Sequence, residues 1–188
     1  MKNGKLIVIA APSGSGKTTV VKNLISDKSL NLGFSVSATS REKRKNEIDG
    51  KDYYFLSKGE FEEKINLNEF VEWEEVYKDT FYGTLKSEIN SLNSLGKNLI
   101  FDIDAIGGLS IKKEFPESTL TIFICPPSLE ELENRLRKRG TDSEEKIKIR
   151  LSKASKEISM SLLYDYKIEN HNLIETIVKV KTLINNFL

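Results

Sequence analysis

Apolar side chains gather in three short runs, Leu6–Ala10, Asn98–Ile103 and Thr119–Cys125, each followed by a stretch whose apolar positions recur at helical spacing. Runs without alternation mark strands buried on both faces, and a strand-then-helix rhythm builds a parallel sheet wrapped by helices. Capping signals stand at expected helix starts: Ser57 with Glu60, Ser128 with Glu131, and Asn172 with Glu175. In the closing helix, Ile174, Ile177, Val178, Ile184, Phe187 and Leu188 are expected to share one core-facing side.

Between residues 34 and 96 the texture turns polar and aromatic, with short strands expected at Tyr53–Leu56 and Phe70–Trp73 on either side of a helix. This reads as a lobe inserted into a core formed by 1–33 and 97–188. A second polar, arginine-rich segment, 134–150, interrupts two helices and is the candidate lid. No repeat, low-complexity tract or Pro/Gly-rich linker divides the chain, so residues 1–188 are expected to form one folding unit.

Composition narrows the classes. With 188 residues, 38% hydrophobic and 30% charged, the chain suits one compact soluble domain with its own core. Twenty-nine basic residues against 28 acidic leave a net charge of +1. No global field therefore points to nucleic acid or a membrane surface as partner, and phosphate chemistry must rest on local charge. The single cysteine, Cys125, is read as a buried thiol in a reducing, cytoplasmic setting. The amino-terminal apolar run stops at Pro12 and feeds a glycine-rich loop, unlike a secretion signal, and no segment approaches the roughly 20 apolar residues of a membrane span.

That loop, Ala11-Pro-Ser-Gly-Ser-Gly-Lys-Thr-Thr19, follows a strand and opens a helix, which is the context a phosphate-binding P-loop requires. Backbone N–H groups across Ser13, Gly14, Ser15, Gly16, Lys17, Thr18 and Thr19 can converge on phosphate oxygens, Lys17 can reach the outer phosphates, and the Thr18 hydroxyl can ligate magnesium. Ala11 stands where the usual pattern has glycine, which is acceptable if its backbone is extended and its methyl turned away. Alternation along Phe101-Asp-Ile-Asp104 sends both carboxylates to one face. Asp102 is the candidate to hold the Mg²⁺ ion's water shell and Asp104 to reach the cleft; the alternative is a pair of helix-capping carboxylates, above all for Asp104.

The inserted lobe carries Ser40-Arg-Glu-Lys-Arg44, Gly50-Lys-Asp-Tyr53, Glu69-Phe-Val-Glu-Trp73 and Tyr82-Gly83, and the lid carries Arg135-Leu136 and Arg139-Gly-Thr-Asp-Ser-Glu-Glu145. With the P-loop and the Asp102–Asp104 pair, these motifs stand in the order found in guanylate kinases, which the chain resembles over essentially its whole length. The resemblance implies a P-loop α/β fold with an inserted nucleoside-monophosphate lobe and a small lid. It implies transfer of the γ-phosphoryl group of MgATP to GMP, giving ADP and GDP.

By that resemblance Arg41 and Arg44, with Tyr53 and Tyr82, grip the GMP phosphate, as guanidinium forks and phenolic hydroxyls can. Glu72 accepts from guanine N1–H and the 2-amino group, while Ser37, Thr84 and Asp104 address the base edge. Adenine would set an acceptor nitrogen against the Glu72 carboxylate. Glu69, Glu74 and Glu75 are read as a solvated face, and Trp73, pointing away from Glu72, as packing. Lys17, Arg41, Arg135, Arg139 and Arg150 neutralise the moving phosphoryl group, whereas Arg137 and Lys138 face solvent. Asn170 falls where the family has an asparagine near the ATP base. Lys43, Asn46 and Ile106 depart from the family pattern, the first two in the loop that aims Arg44. Peptide-binding relatives of the fold have no use for Lys17, Thr18 and the lid arginines; kinases of other acceptors have none for Glu72 with the arginine pair.

Overall fold

A computed structural model describes residues 4–140 and 143–188, apart from the side chains of Tyr77 and Arg139. In chain order the elements are β1 (Leu6–Ala10), α1 (Lys17–Ser26), β2 (Leu32–Phe34), β3 (Ala38–Thr39), β4 (Tyr54–Phe55), α2 (Lys58–Asn66), β5 (Phe70–Tyr77), β6 (Thr80–Leu85), α3 (Lys86–Ser94), β7 (Asn98–Asp102), α4 (Ala105–Glu114), β8 (Thr119–Cys125), α5 (Leu129–Arg139), α6 (Glu144–Met160), β9 (Tyr166–Glu169) and α7 (Leu173–Phe187).

Five parallel strands form the central sheet in the order β2-β7-β1-β8-β9. All residues of β1 and β8 are buried, including Thr119 and Thr121, as their mainly apolar runs predict. Alternation splits them between two faces. Ile7, Ile9, Ile122 and Ile124 pack with Val20, Val21 and Leu24 of α1 and with Val180 and Ile184 of α7. Leu6, Val8, Ala10, Phe101 and Phe123 pack with Ile89 of α3 and with Ala105 and Ile111 of α4. Each fully buried large apolar side chain contributes about 1.5–3 kcal/mol. Cys125 is a buried free thiol on the second of these faces. No helix among the described residues is long and apolar enough to cross a membrane.

The face assigned to α7 needs correction. Thr176, Val180 and Ile184 are buried, while Ile174 and Val178 are 74% and 58% exposed. Two residues along a helix turn about 200°, so these side chains point away from the packed line. Leu188 is exposed as well. Only Ile177, Ile184 and Phe187 of the expected stripe reach the core.

A second sheet, ordered β4-β3-β6-β5, is mixed: β3 pairs β4 in parallel and β6 antiparallel, and β5 and β6 form a hairpin. Its own core is aromatic, with Phe61 of α2 stacked on Phe70 at 4.4 Å and on Phe81 at 5.5 Å. Ser57 and Glu60 complete the expected capping box of α2. Strand β6 contains Gly83 because β5 crosses it closely; a Cβ there would lie 2.7 Å from the Glu72 carbonyl oxygen. In β5 the register shifts by one residue between Phe70 and Glu72. Phe70 and Trp73 thereby share the α2 side, and Glu72 falls opposite Thr84 on the other.

Candidate active site

Strand β1 is flanked by β7 and β8, so helices leave its carboxyl end on both sides of a crevice, the usual ligand position of open parallel sheets. The crevice opens into a cleft of about 770 Å³ that also reaches the second sheet.

Loop 11–16 takes its course from two glycines in the left-handed region, Gly14 (φ 98°) and Gly16 (φ 96°). A Cβ on Gly16 would also lie 2.6 Å from Asn170 Nδ2. Ala11 has no such φ, and its methyl is buried against the α1 side of the core, so the missing glycine is harmless. Ser13, Gly14, Gly16, Lys17, Thr18 and Thr19 line the cleft. Ser15 does not: its hydroxyl is buried without a partner among the described residues, its N–H turns back to the Pro12 carbonyl, and its own carbonyl accepts from Asn170 Nδ2 at 2.8 Å.

That last bond engages Asn170, which the resemblance puts near the ATP base, with the loop itself. The residue is buried, its Oδ1 accepts from Thr176 Oγ1 at 3.0 Å, and its carbonyl accepts from Arg135 Nη2 at 3.0 Å. Both ends of its amide are engaged within the protein. Asn170 braces the loop from behind and ties it to Arg135 of α5.

Lys17 Nζ lies 2.7 Å from Asp102 Oδ1 at the end of β7 and donates to the Ile103 carbonyl at 2.7 Å. Asp104 fulfils both of its readings. Its Oδ1 caps α4, accepting from the N–H groups of Ile106 and Gly107 at 2.9 Å each, and it lines the cleft with Asp102. Ile106 is 47% exposed and lies outside the lining, so that departure from the family pattern does not touch the cleft.

Across the cleft stand Ser37, Tyr53, Glu72 and Tyr82. Glu72 Oε1 accepts from Thr84 Oγ1 at 2.6 Å, and Oε2 lies over the first turn of α4, 2.8 Å from where a Cβ on Gly107 would be. Burial pushes the Glu72 carboxyl up to about 7, with Asp104 adding to the effect and Thr84 opposing it. Thr84, expected at the base edge, is fully buried and holds Glu72 in place.

Glu74, expected on a solvated face, follows the alternation of β5 onto the same side as Glu72. Its Oε2 is sealed from water without a donor among the described residues, and burial, then the facing Asp104 carboxylate, hold its carboxyl well above the usual range. Trp73 packs edge-on against Phe81 at 6.1 Å and remains 46% exposed.

Arg41 is held by a residue that the motifs did not single out. Its Nη1 and Nη2 donate to Glu47 Oε2 and Oε1 at 2.7 and 2.5 Å, and its Nε donates to Tyr82 Oη at 3.2 Å. Its guanidinium lies 5.0 Å from the Tyr53 ring centroid. The fork lowers the Glu47 carboxyl to about 2. Glu47 also accepts from the Arg44 N–H at 2.8 Å, which fixes this loop without the proline and glycine usual at positions 43 and 46; Asn46 needs no positive φ. The Arg44 side chain is exposed and outside the cleft lining.

From α5 and α6, Arg135 and Arg150 line the cleft, Arg135 Nε on Glu131 at 2.8 Å and Arg150 Nη1 on the Ser13 hydroxyl at 2.5 Å. Arg137 pairs outward with Glu133 and Glu144. Lys138 is exposed, as expected, and also lines the cleft, lying three residues from Arg135 on the same helical face. The side chain of Arg139 lies outside the described residues.

A guanylate kinase family profile matches residues 3–187. The chain is 52% identical over 184 residues to the guanylate kinase of Porphyromonas gingivalis, covering 98% of both chains. It is 45% identical over 185 residues to that of Clostridium tetani, covering 98% of this chain and 87% of the relative. The crystal structure of guanylate kinase from Anaplasma phagocytophilum superposes with a TM-score of 0.78 at 32% identity, covering 99% of this chain and 87% of the other.

Proposed function

The chain belongs to the guanylate kinase family, and from that premise we propose how its residues divide the work of moving the γ-phosphoryl group of ATP to GMP. It is an ATP:GMP phosphotransferase, giving ADP and GDP. The observation that carries the division is that one cleft is lined by the loop and Lys17 on one wall and by Ser37, Glu72 and Tyr82 on the other.

The ATP phosphates lie on loop 13–19, where main-chain N–H groups and Lys17 meet their charge. Asp102, 2.7 Å from Lys17, keeps that ammonium aimed along the β7 side of the cleft. On the opposite wall Glu72 reads guanine through its N1–H and 2-amino donors, with Ser37 and Asp104 at the remaining base edge and Thr84 orienting the carboxylate. Arg41, Arg44, Tyr53 and Tyr82 take the GMP phosphate. Phosphoryl transfer needs alignment and charge neutralisation more than proton abstraction, so no general base is assigned. Arg135, Arg139 and Arg150 supply positive charge over the transferring group. Segment 34–96 acts as the acceptor lobe and 134–150 as the lid, closing on the core formed by 1–33 and 97–188 to keep out water, which would otherwise accept the phosphoryl group.

The Thr18 hydroxyl and the Asp102 carboxylate are hard oxygen donors beside the loop, too few for a protein-only metal cage. They suit Mg²⁺, which retains waters and phosphate oxygens as ligands. When bound, the ion draws charge from the β- and γ-phosphate oxygens.

A coupled assay of ADP release with MgATP and, in turn, GMP, AMP, UMP and CMP tests the reading. Turnover is expected with GMP at a kcat/KM at least about 10³-fold above the others. Equal rates with AMP, or none with any acceptor, reject it.

A further inference from the structure

Glu88, in the first turn of α3, is a buried carboxylate with no part in the scheme above. Its Oε1 accepts from the Val36 N–H at 3.0 Å and its Oε2 from the Tyr54 hydroxyl at 2.8 Å. An ionised carboxylate tolerates burial only when hydrogen-bonded or paired, and charge-assisted bonds of this kind are the strong ones. Tyr54 stays a donor throughout the neutral range, its hydroxyl pushed up to about 12 by burial and by Glu88.

The two donors are placed to matter. Val36 lies on the link that carries the chain from β2 in the central sheet to β3 in the second sheet, and α3 lies on the return from β6 to β7. One carboxylate therefore joins the outward and return crossings between the sheets. Val36 directly precedes Ser37, and Tyr54 directly follows Tyr53. The Tyr54 N–H closes this small circuit by donating to the Ser37 carbonyl at 2.9 Å. Ser37 and Tyr53 both line the cleft.

We infer that Glu88 is a positioning residue for the acceptor side of the cleft, fixing the backbone on which Ser37 and Tyr53 stand and so setting GMP affinity without touching GMP. This rests on the assignment of Ser37 and Tyr53 to the GMP site. A purely structural Glu88 would change melting temperature alone, or would disturb both substrates equally.

The test measures kcat and the separate KM values for GMP and ATP in Glu88→Ala, Glu88→Gln and Tyr54→Phe, with melting temperatures to certify folding and Glu72→Gln as a control on the pocket. Glu88→Ala is expected to raise the GMP KM about tenfold, the scale of a lost charged hydrogen bond, with the ATP KM and kcat within about twofold. Tyr54→Phe should give a rise of about threefold. Glu88→Gln should restore the parental GMP KM, because its amide oxygen can accept from Val36 while its NH₂ group donates to the Tyr54 oxygen.

A folded Glu88→Ala with unchanged GMP KM, or with both KM values raised alike, overturns the inference. Should that variant fail to fold, Tyr54→Phe decides, and an unchanged GMP KM there overturns it. Glu72→Gln separates the two levels. Lost guanine preference in the control with unmoved Glu88 and Tyr54 variants sinks only the role of Glu88, whereas an intact preference sinks the pocket assignment and the inference with it.

Discussion

Replacing Glu72 by Gln should make the protein more stable and a worse guanylate kinase. In the folded chain burial raises this carboxyl from 4.5 to about 7, and at about 1.36 kcal/mol per unit that is a penalty of roughly 3 kcal/mol for ionising it in place. The folded state binds the proton more tightly than the unfolded chain. The stabilising contribution of the protonated form is therefore fully present below pH 4.5 and is lost as pH rises through about 7. Gln keeps the shape, can still accept from Thr84, and does not titrate.

At pH 8 the variant is expected to gain up to about 3 kcal/mol, or roughly 6–12 °C in melting temperature for a chain of this size, and close to nothing at pH 4.5. Glu74 is also held above its usual range, so the informative quantity is the difference between parent and variant melting curves across pH. The same substitution should abolish most of the preference for GMP over AMP, since an ionised acceptor is what guanine's two donors require. In the parent the GMP KM should rise as pH falls below about 7, towards tenfold per unit, and the variant should lack that dependence above the second phosphate ionisation near pH 6. Identical melting curves at pH 8, or an unchanged GMP preference, would refute a desolvated, base-reading Glu72.

Two further outcomes are expected. Lys17→Ala should lower kcat by about 10³ while moving the melting temperature only a few degrees, because Asp102 is left near the cleft where water reaches it; parental single-turnover rates would dismiss Lys17 from the transfer step. Gly107→Ala should preserve stability, Ala being the better helix former by about 1 kcal/mol. It should nonetheless raise the GMP KM about tenfold by displacing Glu72 Oε2, which an ideal Cβ would approach to 2.8 Å. Calorimetric GMP titration equal to the parent would mean that Glu72 does not rest against α4.

What the sequence made legible was local. The loop, its lysine and the strand before it form one continuous stretch, and β1 and β8 declare themselves by runs of apolar residues. The roles of Asn170, Glu88 and Glu47 depended on contacts with Ser15, Val36 and Arg41. The first two of these contacts cross long stretches of sequence, and no spacing rule encodes them. Glu74 was within reach, since two residues along a strand from Glu72 is the same side; its charge suggested solvent, and the strand's geometry prevailed. In α7 the apolar positions outnumber those the sheet can cover, so composition could not say which line would pack.

The extra residue between Phe70 and Glu72 gives β5 one point at which its length can change without exchanging its faces. Removing Val71 would leave Phe70 opposite Leu85 and Glu72 opposite Thr84 in simple succession, so Phe70 and Trp73 would keep the α2 side and Glu72 the cleft wall, at the cost of the packing of Val71 itself. A one-codon deletion at Val71 would thus spare the carboxylate, whereas loss of Trp73 would turn Glu74 to the opposite face of the hairpin.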